Sequence, residues 1–242
     1  MNPGIVHWPA PANIGACFTT RQGGISLPPR DSLNLGSHVG DDATHVEANR
    51  QRLVKVAGLP AMPHWLDQVH GSDVICLTGK EKSALRADAC FTRNKDVVCA
   101  VMTADCLPVL FCSADGKEVA AAHAGWRGLC AGVLENTLAQ FGAHPGQIHA
   151  WLGPAIGPEA FEVGAEVRTA FMAKDRRAAS AFRPVGEKFF ADIWLLAQQR
   201  LLAAGVVSVS VERRCTFLEK DDFFSFRRDR TTGRMASLVW LR

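Results

Sequence analysis

Val97–His123 reads VVCAVMTADCLPVLFCSADGKEVAAAH, three apolar runs of strand length separated by short polar segments. Val97–Thr103, Pro108–Cys112 and Val119–His123 are each short and rich in Val, Ala and Cys, so each is expected as a buried strand. Ala114-Asp115-Gly116-Lys117 joins the last two. Asp-Gly supplies the positive φ that a tight antiparallel connection needs, so these strands should form a hairpin.

Further strands extend outward from this centre. His64–Val69, Val74–Leu77 and Ala89–Thr92 precede it, and Ile14–Thr20 opens the chain. Gln147–Leu152, Val206–Val211, Phe223–Phe226 and Ser237–Leu241 follow. Helices are predicted over Asp42–Ala57, Gly128–Phe141, Gly164–Ala173 and Phe190–Ala204. The first has Asp41 or Asp42 as cap, an apolar face of Val46, Leu53, Val54 and Ala57, and Gly58 at its end. Strands gathered in the middle, with helices before and after, imply an α/β chain with a mixed, largely antiparallel sheet. Regular βαβ alternation is missing, which excludes a Rossmann fold or TIM barrel. No repeat or linker divides residues 1–242, so a single domain is expected.

Composition narrows the function classes. The chain has 242 residues, 48% of them hydrophobic, with mean hydropathy +0.02. That is too apolar for a disordered chain, and its longest apolar runs are too short to span a bilayer. Net charge is only +3 and no dense basic stripe occurs, so neither a nucleic acid nor a membrane is expected as partner. A few focused arginines suit a small anion better. The start, Met1 to Pro9, lacks the features of a secretory signal. Eight cysteines lie scattered without CxxC pairs, the pattern of reduced thiols, so the expected location is cytoplasmic; a monomer is expected. There is no tyrosine to serve as acid or base.

Polar residues at the ends of apolar strands carry the chemistry. They fall in Gln68-Val-His70-Gly71, Thr103-Ala-Asp105-Cys106-Leu-Pro108 and Ala120-Ala-Ala-His123-Ala-Gly-Trp126-Arg127-Gly128. One thiolate and two imidazoles make a zinc set that leaves a fourth tetrahedral position for a reactant. The same residues admit a Cys106 nucleophile with His123 as base, or ordinary packed side chains. Their spacing matches no short zinc-finger pattern and does not decide between these readings.

Longer strings add a resemblance. SLNLG-HVGDD (Ser32 to Asp42), QVHG (Gln68 to Gly71), TADCLPV (Thr103 to Val109) and AAAHAGWRG (Ala120 to Gly128) resemble those of one family. So do WLGPAIGP-AFEVG (Trp151 to Gly164) and the closing FFSFRRD–TGRMASLVWL. This is the laccase-domain or multicopper polyphenol oxidase family, described as purine nucleoside phosphorylases. The nearest likeness is to its bacterial single-domain branch, which is linked to peptidoglycan editing. The resemblance implies an α/β sandwich with His70, Cys106 and His123 on one zinc. It also implies phosphorolysis of adenosine, inosine, guanosine and methylthioadenosine, together with adenosine deamination. Ser225-Phe226 departs from the Ser-Tyr frequent in such relatives.

That chemistry requires a phosphate site, a nucleoside pocket and a proton carrier. Arg127 precedes a predicted helix start, where unpaired N–H groups favour anions, and Arg50 and Arg227 are further candidates. Asn34, His38 and Gln68 are candidates for substrate contact; Phe223, Phe224 and Phe226 could stack on a base, though alternate aromatics in a strand are more often core. Asp105, next to the cysteine, is the candidate proton shuttle, with Glu162 and Glu187 behind it. Three alternatives are set against the phosphorylase. Copper polyphenol oxidation with Cu2+ would fit a His2Cys donor set, but eight dispersed histidines fall short of a multicopper centre. A Cys106–His123 hydrolase acting on a peptidoglycan precursor is the second, and a metal- or nucleotide-binding accessory protein the third.

Overall fold

The computed structural model describes residues 2–81 and 85–242. Two sheets form its centre. One has four strands in the order Gly4–Ile5, Ile14–Phe18, Met235–Leu241 and Val98–Thr103, all antiparallel. The other has six, in the order Ser208–Val211, Ile148–Leu152, Leu107–Ser113, Val119–Ala124, Ala89–Thr92 and Val74–Cys76. Its three inner pairings are antiparallel and its two outer ones parallel. This is a mixed, largely antiparallel α/β sandwich with no barrel. Smaller sheets join Glu162–Val163, Lys188–Ala191 and Phe182–Val185, and pair Leu66–Asp67 with Leu85–Arg86.

The apolar runs are continuous because both faces of the central strands are covered. Along Val119–Ala124, Val119 and Ala121 face the layer between the sheets, beside Leu110, Cys112, Trp151, Val101 and Val239. Ala120, Ala122 and Ala124 point the other way and pack under Leu129, Val133, Leu134, Trp194 and Leu201 of the helices. The outer face of the four-stranded sheet presents Val98, Ala100, Leu238 and Trp240 to Leu33, Leu35 and Leu53. Four layers result, helix on sheet on sheet on helix. Period-two alternation along each strand sends each residue to a known layer.

The helix Ala43–Ala57 begins and ends where predicted, with Asp42 accepting from the Thr44 N–H and Gly58 left-handed at φ 60. Its buried face includes Asn49, which donates to Ser26 Oγ, Ser32 O and Asn34 O and accepts from the Ile25 N–H. The glycine-rich segment 23–40 is thereby tied to the helix.

Three expected elements differ. The predicted helix Gly128–Phe141 is two helices, Trp126–Ala131 and Val133–Leu138, parted by Gly132 at φ 109. The predicted strand Phe223–Phe226 is instead an unpaired irregular segment, Phe223–Ser225, followed by the short helix Phe226–Asp229. Ser225 caps that helix by accepting from the Arg228 N–H, and Phe223 and Phe224 are core residues. Asp192 caps the last long helix, which starts at Ile193, so Phe190 stays in the strand Lys188–Ala191.

Candidate functional site

The register of one hairpin places two of the three ligand candidates. Pro108 lies opposite His123 and Leu107 opposite Ala124, so Cys106 stands one step further on, at Gly125. His123 shares the inward face of Val119 and Ala121. The third candidate, His70, sits beyond Leu66–Asp67 in the left-handed region at φ 61. Its Nε2 is 3.8 Å from Cys106 Sγ, and the His70 and His123 rings meet edge to face at 4.8 Å.

Asp88, which sequence reasoning missed, organises both imidazoles. Fully buried, it holds His123 Nδ1 at 2.8 Å through Oδ1. The same carboxylate accepts the backbone N–H groups of Val69, His70 and Gly71 at 3.2, 2.9 and 2.6 Å. With Nδ1 committed, His123 has Nε2 left for the cavity. Burial by itself would raise the Asp88 carboxyl; the His123 imidazole and the N–H groups of Gly71 and Val69 overcome it and hold the carboxyl below its ordinary value. The only sequence signal was an aspartate beginning a strand among apolar residues.

Burial alone would also raise the Cys106 thiol, but the charges of His123 and His70 outweigh it and bring the pKa down to about 6. His123, which burial would lower, is pushed up to about 9 by the Cys106 thiolate and by Asp88. The cluster favours a thiolate, the form that binds metal.

The donor set fits a metal. Among the described residues, His70, Cys106 and His123 form one group of potential ligands, all within 4.8 Å of one another. Tetrahedral bonds of 2.0 to 2.3 Å would separate such atoms by about 3.3–3.6 Å, near the 3.8 Å found for the sulfur and His70. Gly125 keeps the space clear: a Cβ there would lie 2.9 Å from His70 Cδ2 and 3.0 Å from Cys106 Sγ. A Cβ on Gly128 would likewise lie 2.5 Å from Gly71 O, so glycine there lets the helix pack against the His70 loop.

The cluster opens on a cavity of about 390 Å³, within the usual range for a small-molecule site. Arg127, Arg227, Arg230 and Arg234 line it, with His38, Gln68 and Asp105 and an apolar wall that includes Ile156, Phe161 and Ile193. Arg127 lies within the helix Trp126–Ala131, not ahead of it, with its guanidinium 4.5 Å from the Trp126 ring centre. Gln68 pairs its amide with both backbone groups of Met102, at 2.8 and 2.7 Å. Arg227 donates to Glu162 O at 2.9 Å. Phe226 reaches the cavity and is 47% exposed, unlike buried Phe223 and Phe224.

Other candidates lie elsewhere. Arg50 is not at the cavity; its guanidinium donates twice to Leu35 O, at 3.0 and 2.8 Å, and covers Trp65. Asn34 is fully buried and acts on the site indirectly, accepting the N–H groups of Gly36 and Arg234 and donating to Asp41. Neither Glu162 nor Glu187 lines the cavity. Asp105 does, but its carboxylate is occupied: it accepts from Thr216 Oγ1 at 2.8 Å, Ser225 Oγ at 3.1 Å and the Arg227 N–H at 2.7 Å. Its place, at φ 85, makes it an anchor between the cysteine and the helix Phe226–Asp229. Arg230 and Arg234 were missed because their segment read as loop and strand edge.

A family model described as multi-copper polyphenol oxidoreductase laccase matches residues 15–242. The chain is 60% identical over 237 residues to the Escherichia coli K12 protein named purine nucleoside phosphorylase YfiH, covering 98% of each. Pseudomonas aeruginosa PA4543, also named purine nucleoside phosphorylase, is 54% identical over 236 residues, 97% of this chain and 96% of that one. The crystal structure of Neisseria meningitidis NMB0706 has a TM-score of 0.96 at 49% identity, covering 100% of this chain and 99% of the other. That of YlmD from Geobacillus stearothermophilus has 0.86 at 33%, covering 99% and 100%.

Proposed function

This chain belongs to the multi-copper polyphenol oxidoreductase laccase family, and from that membership we propose that it is a zinc-dependent purine nucleoside phosphorylase with adenosine deaminase activity. Its substrates are adenosine, inosine, guanosine and methylthioadenosine, with phosphate as the second reactant. The observation that carries the reading is a His-Cys-His cluster and four arginines on one cavity whose one lining carboxylate among the described residues, Asp105, is already saturated by hydrogen bonds.

His70, Cys106 and His123 would hold the zinc, with Asp88 keeping His123 in the tautomer that leaves Nε2 free. Bound there, zinc supplies Lewis acidity and lowers the pKa of water towards neutrality. The arginines neutralise and orient phosphate, Arg127 and Arg227 among them. Ile156, Phe161 and Ile193 offer the purine an apolar wall. Phe226, partly exposed on the cavity, offers a face for stacking. His38 is the proton carrier. Burial and then the charge of Arg234 lower its pKa; Asp67 pulls the other way, and Arg50 and His123 add weaker lowering contributions. Its imidazole is therefore neutral at pH 7 and can take a proton from the attacking phosphate or water.

Copper suits the same donors, but a multicopper oxidase needs further histidine sites. Among the described residues there is one such cluster.

The test is product analysis on metal-assayed protein. Inosine should yield hypoxanthine and ribose-1-phosphate only when phosphate is present, and adenosine should yield inosine and ammonia without it. Chelation should stop both reactions and zinc restore them. Base release independent of phosphate, or turnover undiminished in metal-free protein, would overturn the proposal.

A further inference from the structure

Strand register brings a second chemistry-bearing residue to the metal cluster from the far end of the chain. Met235 pairs with Thr103 in the four-stranded sheet, so the antiparallel ladder continued by one step sets Arg234 opposite Ala104, two residues before Cys106. Arg234 lines the same cavity as Cys106, His70 and His123. It is also held rigidly. Its backbone N–H donates to Asn34 Oδ1 at 2.9 Å, and its Cγ lies where a Cβ on Gly36 would come within 2.8 Å. Nη1 donates to Thr232 O and Gly233 O at 3.3 and 3.0 Å.

Among the described residues no carboxylate pairs with Arg234, and Nε and Nη2 make no hydrogen bond. Several other half-buried arginines are neutralised, Arg21 by Asp31, Arg214 by Glu219 and Asp222, and Arg228 by Asp229, while Arg30, Arg50 and Arg227 donate to the carbonyls of Val39, Leu35 and Glu162. Burial holds the Arg234 pKa below the ordinary guanidinium value, partly offset by the charges of Cys106 and Asp105. A second unpaired guanidinium stands close by. The Arg230 and Arg234 side chains each approach the Phe226 ring, with 5.9 Å between guanidinium carbon and ring centre. Arg230 too lacks a carboxylate partner among the described residues, and it lines the cavity.

A fixed, half-desolvated cation with free donors is an incomplete interaction that an oxyanion completes. We infer that Arg234, assisted by Arg230, is the anchor of a tetrahedral-oxyanion subsite beside the His-Cys-His cluster, and that its occupant is inorganic phosphate. The identity of the anion rests on the phosphorylase reading; the subsite itself rests on the arginines.

The experiment titrates inorganic phosphate into zinc-loaded protein by calorimetry, and measures KM for phosphate and for inosine separately. Arg234→Gln should weaken phosphate binding about 10- to 100-fold, the worth of a charge-assisted contact, and raise the phosphate KM alike. The inosine KM and the zinc content should stay within twofold. Arg234→Lys, which keeps the charge and guards against a folding defect, should fall between. Arg183→Gln, at an exposed pair with Glu159, should change nothing. Millimolar guanidinium ion should partly rescue Arg234→Ala. Unchanged phosphate affinity in folded Arg234→Gln, or a loss confined to Arg127→Gln, overturns the subsite. Phosphate binding that depends on Arg234 in a protein without phosphorolysis would uphold the subsite and remove the phosphorylase reading. Phosphorolysis with an unaltered phosphate KM in Arg234→Gln would do the reverse.

Discussion

Asp88 Oδ1 stands 2.8 Å from His123 Nδ1, and the same carboxylate gathers the N–H groups of the segment that carries His70. One buried side chain therefore sets the orientation of one ligand and the backbone position of another. Partners of this kind fix tautomer and geometry, and their loss usually costs metal affinity more than fold.

Asp88→Asn should lower zinc affinity about 10- to 100-fold. The asparagine is nearly isosteric but cannot accept at both oxygens, so the His70 loop loosens and His123 is free to turn. Competition against a chromophoric chelator measures the change. Affinity within twofold of the wild type would show that Asp88 does not position the ligands.

The Cys106 thiol should ionise far below its ordinary value in protein stripped of metal. Its pKa is lowered from 9.0 to about 6, so the reactive thiolate persists as pH falls and disappears only through pH 6. Iodoacetamide labelling of Cys106 in chelator-treated protein should thus be nearly flat from pH 9 to pH 7 and about half as fast near pH 6. Zinc-loaded protein should resist labelling throughout. Rapid labelling of the loaded protein would instead favour a free nucleophile and the hydrolase reading.

Gly125 takes an ordinary extended backbone, φ −62 and ψ 156, which alanine adopts without strain. Gly125→Ala should therefore fold normally yet bind zinc about tenfold or more weakly, because its methyl group enters the space between His70 and Cys106. Circular dichroism and elemental analysis on the same sample separate the two effects. Full zinc occupancy at low free zinc would contradict the geometry.

The core strands, Cys106 and His123 were legible in sequence for one physical reason. Strands covered on both faces stay apolar throughout, so a His or Cys at their ends stands out. His70, beyond the two-residue strand Leu66–Asp67, stood out only through its Gln68-Val-His70-Gly71 string. The first helix was equally legible because Asp42 and Gly58 mark its ends by local chemistry. Less legible was whatever depends on contacts between distant segments. Asp88 matters through loop N–H groups 17 to 19 residues away and through His123, 35 away. Arg50 looked free until the carbonyl of Leu35 and the ring of Trp65 came beside it. Phe223–Phe226 imitated a strand because Phe223 and Phe224 are buried. The Ser225 hydroxyl, a local signal passed over, starts a helix there instead.

Asp105 separates a shuttle from an anchor. A shuttle would need an oxygen free to exchange protons, and its replacement by asparagine would abolish activity while leaving stability intact. The observed carboxylate accepts three donors, from Thr216, Ser225 and Arg227, in a nearly water-free setting. An amide keeps one acceptor oxygen and brings two N–H donors, so at least one buried hydroxyl or N–H loses its partner. Each such loss costs about 1–3 kcal/mol. For a chain of this length the melting temperature of Asp105→Asn should fall by about 5–10 °C. The helix that carries Phe226 and Arg227 would shift with it, so the phosphate and nucleoside KM values should rise together. Thermal unfolding beside steady-state kinetics checks this. An unchanged melting temperature with kcat alone abolished would return Asp105 to the proton-carrying role.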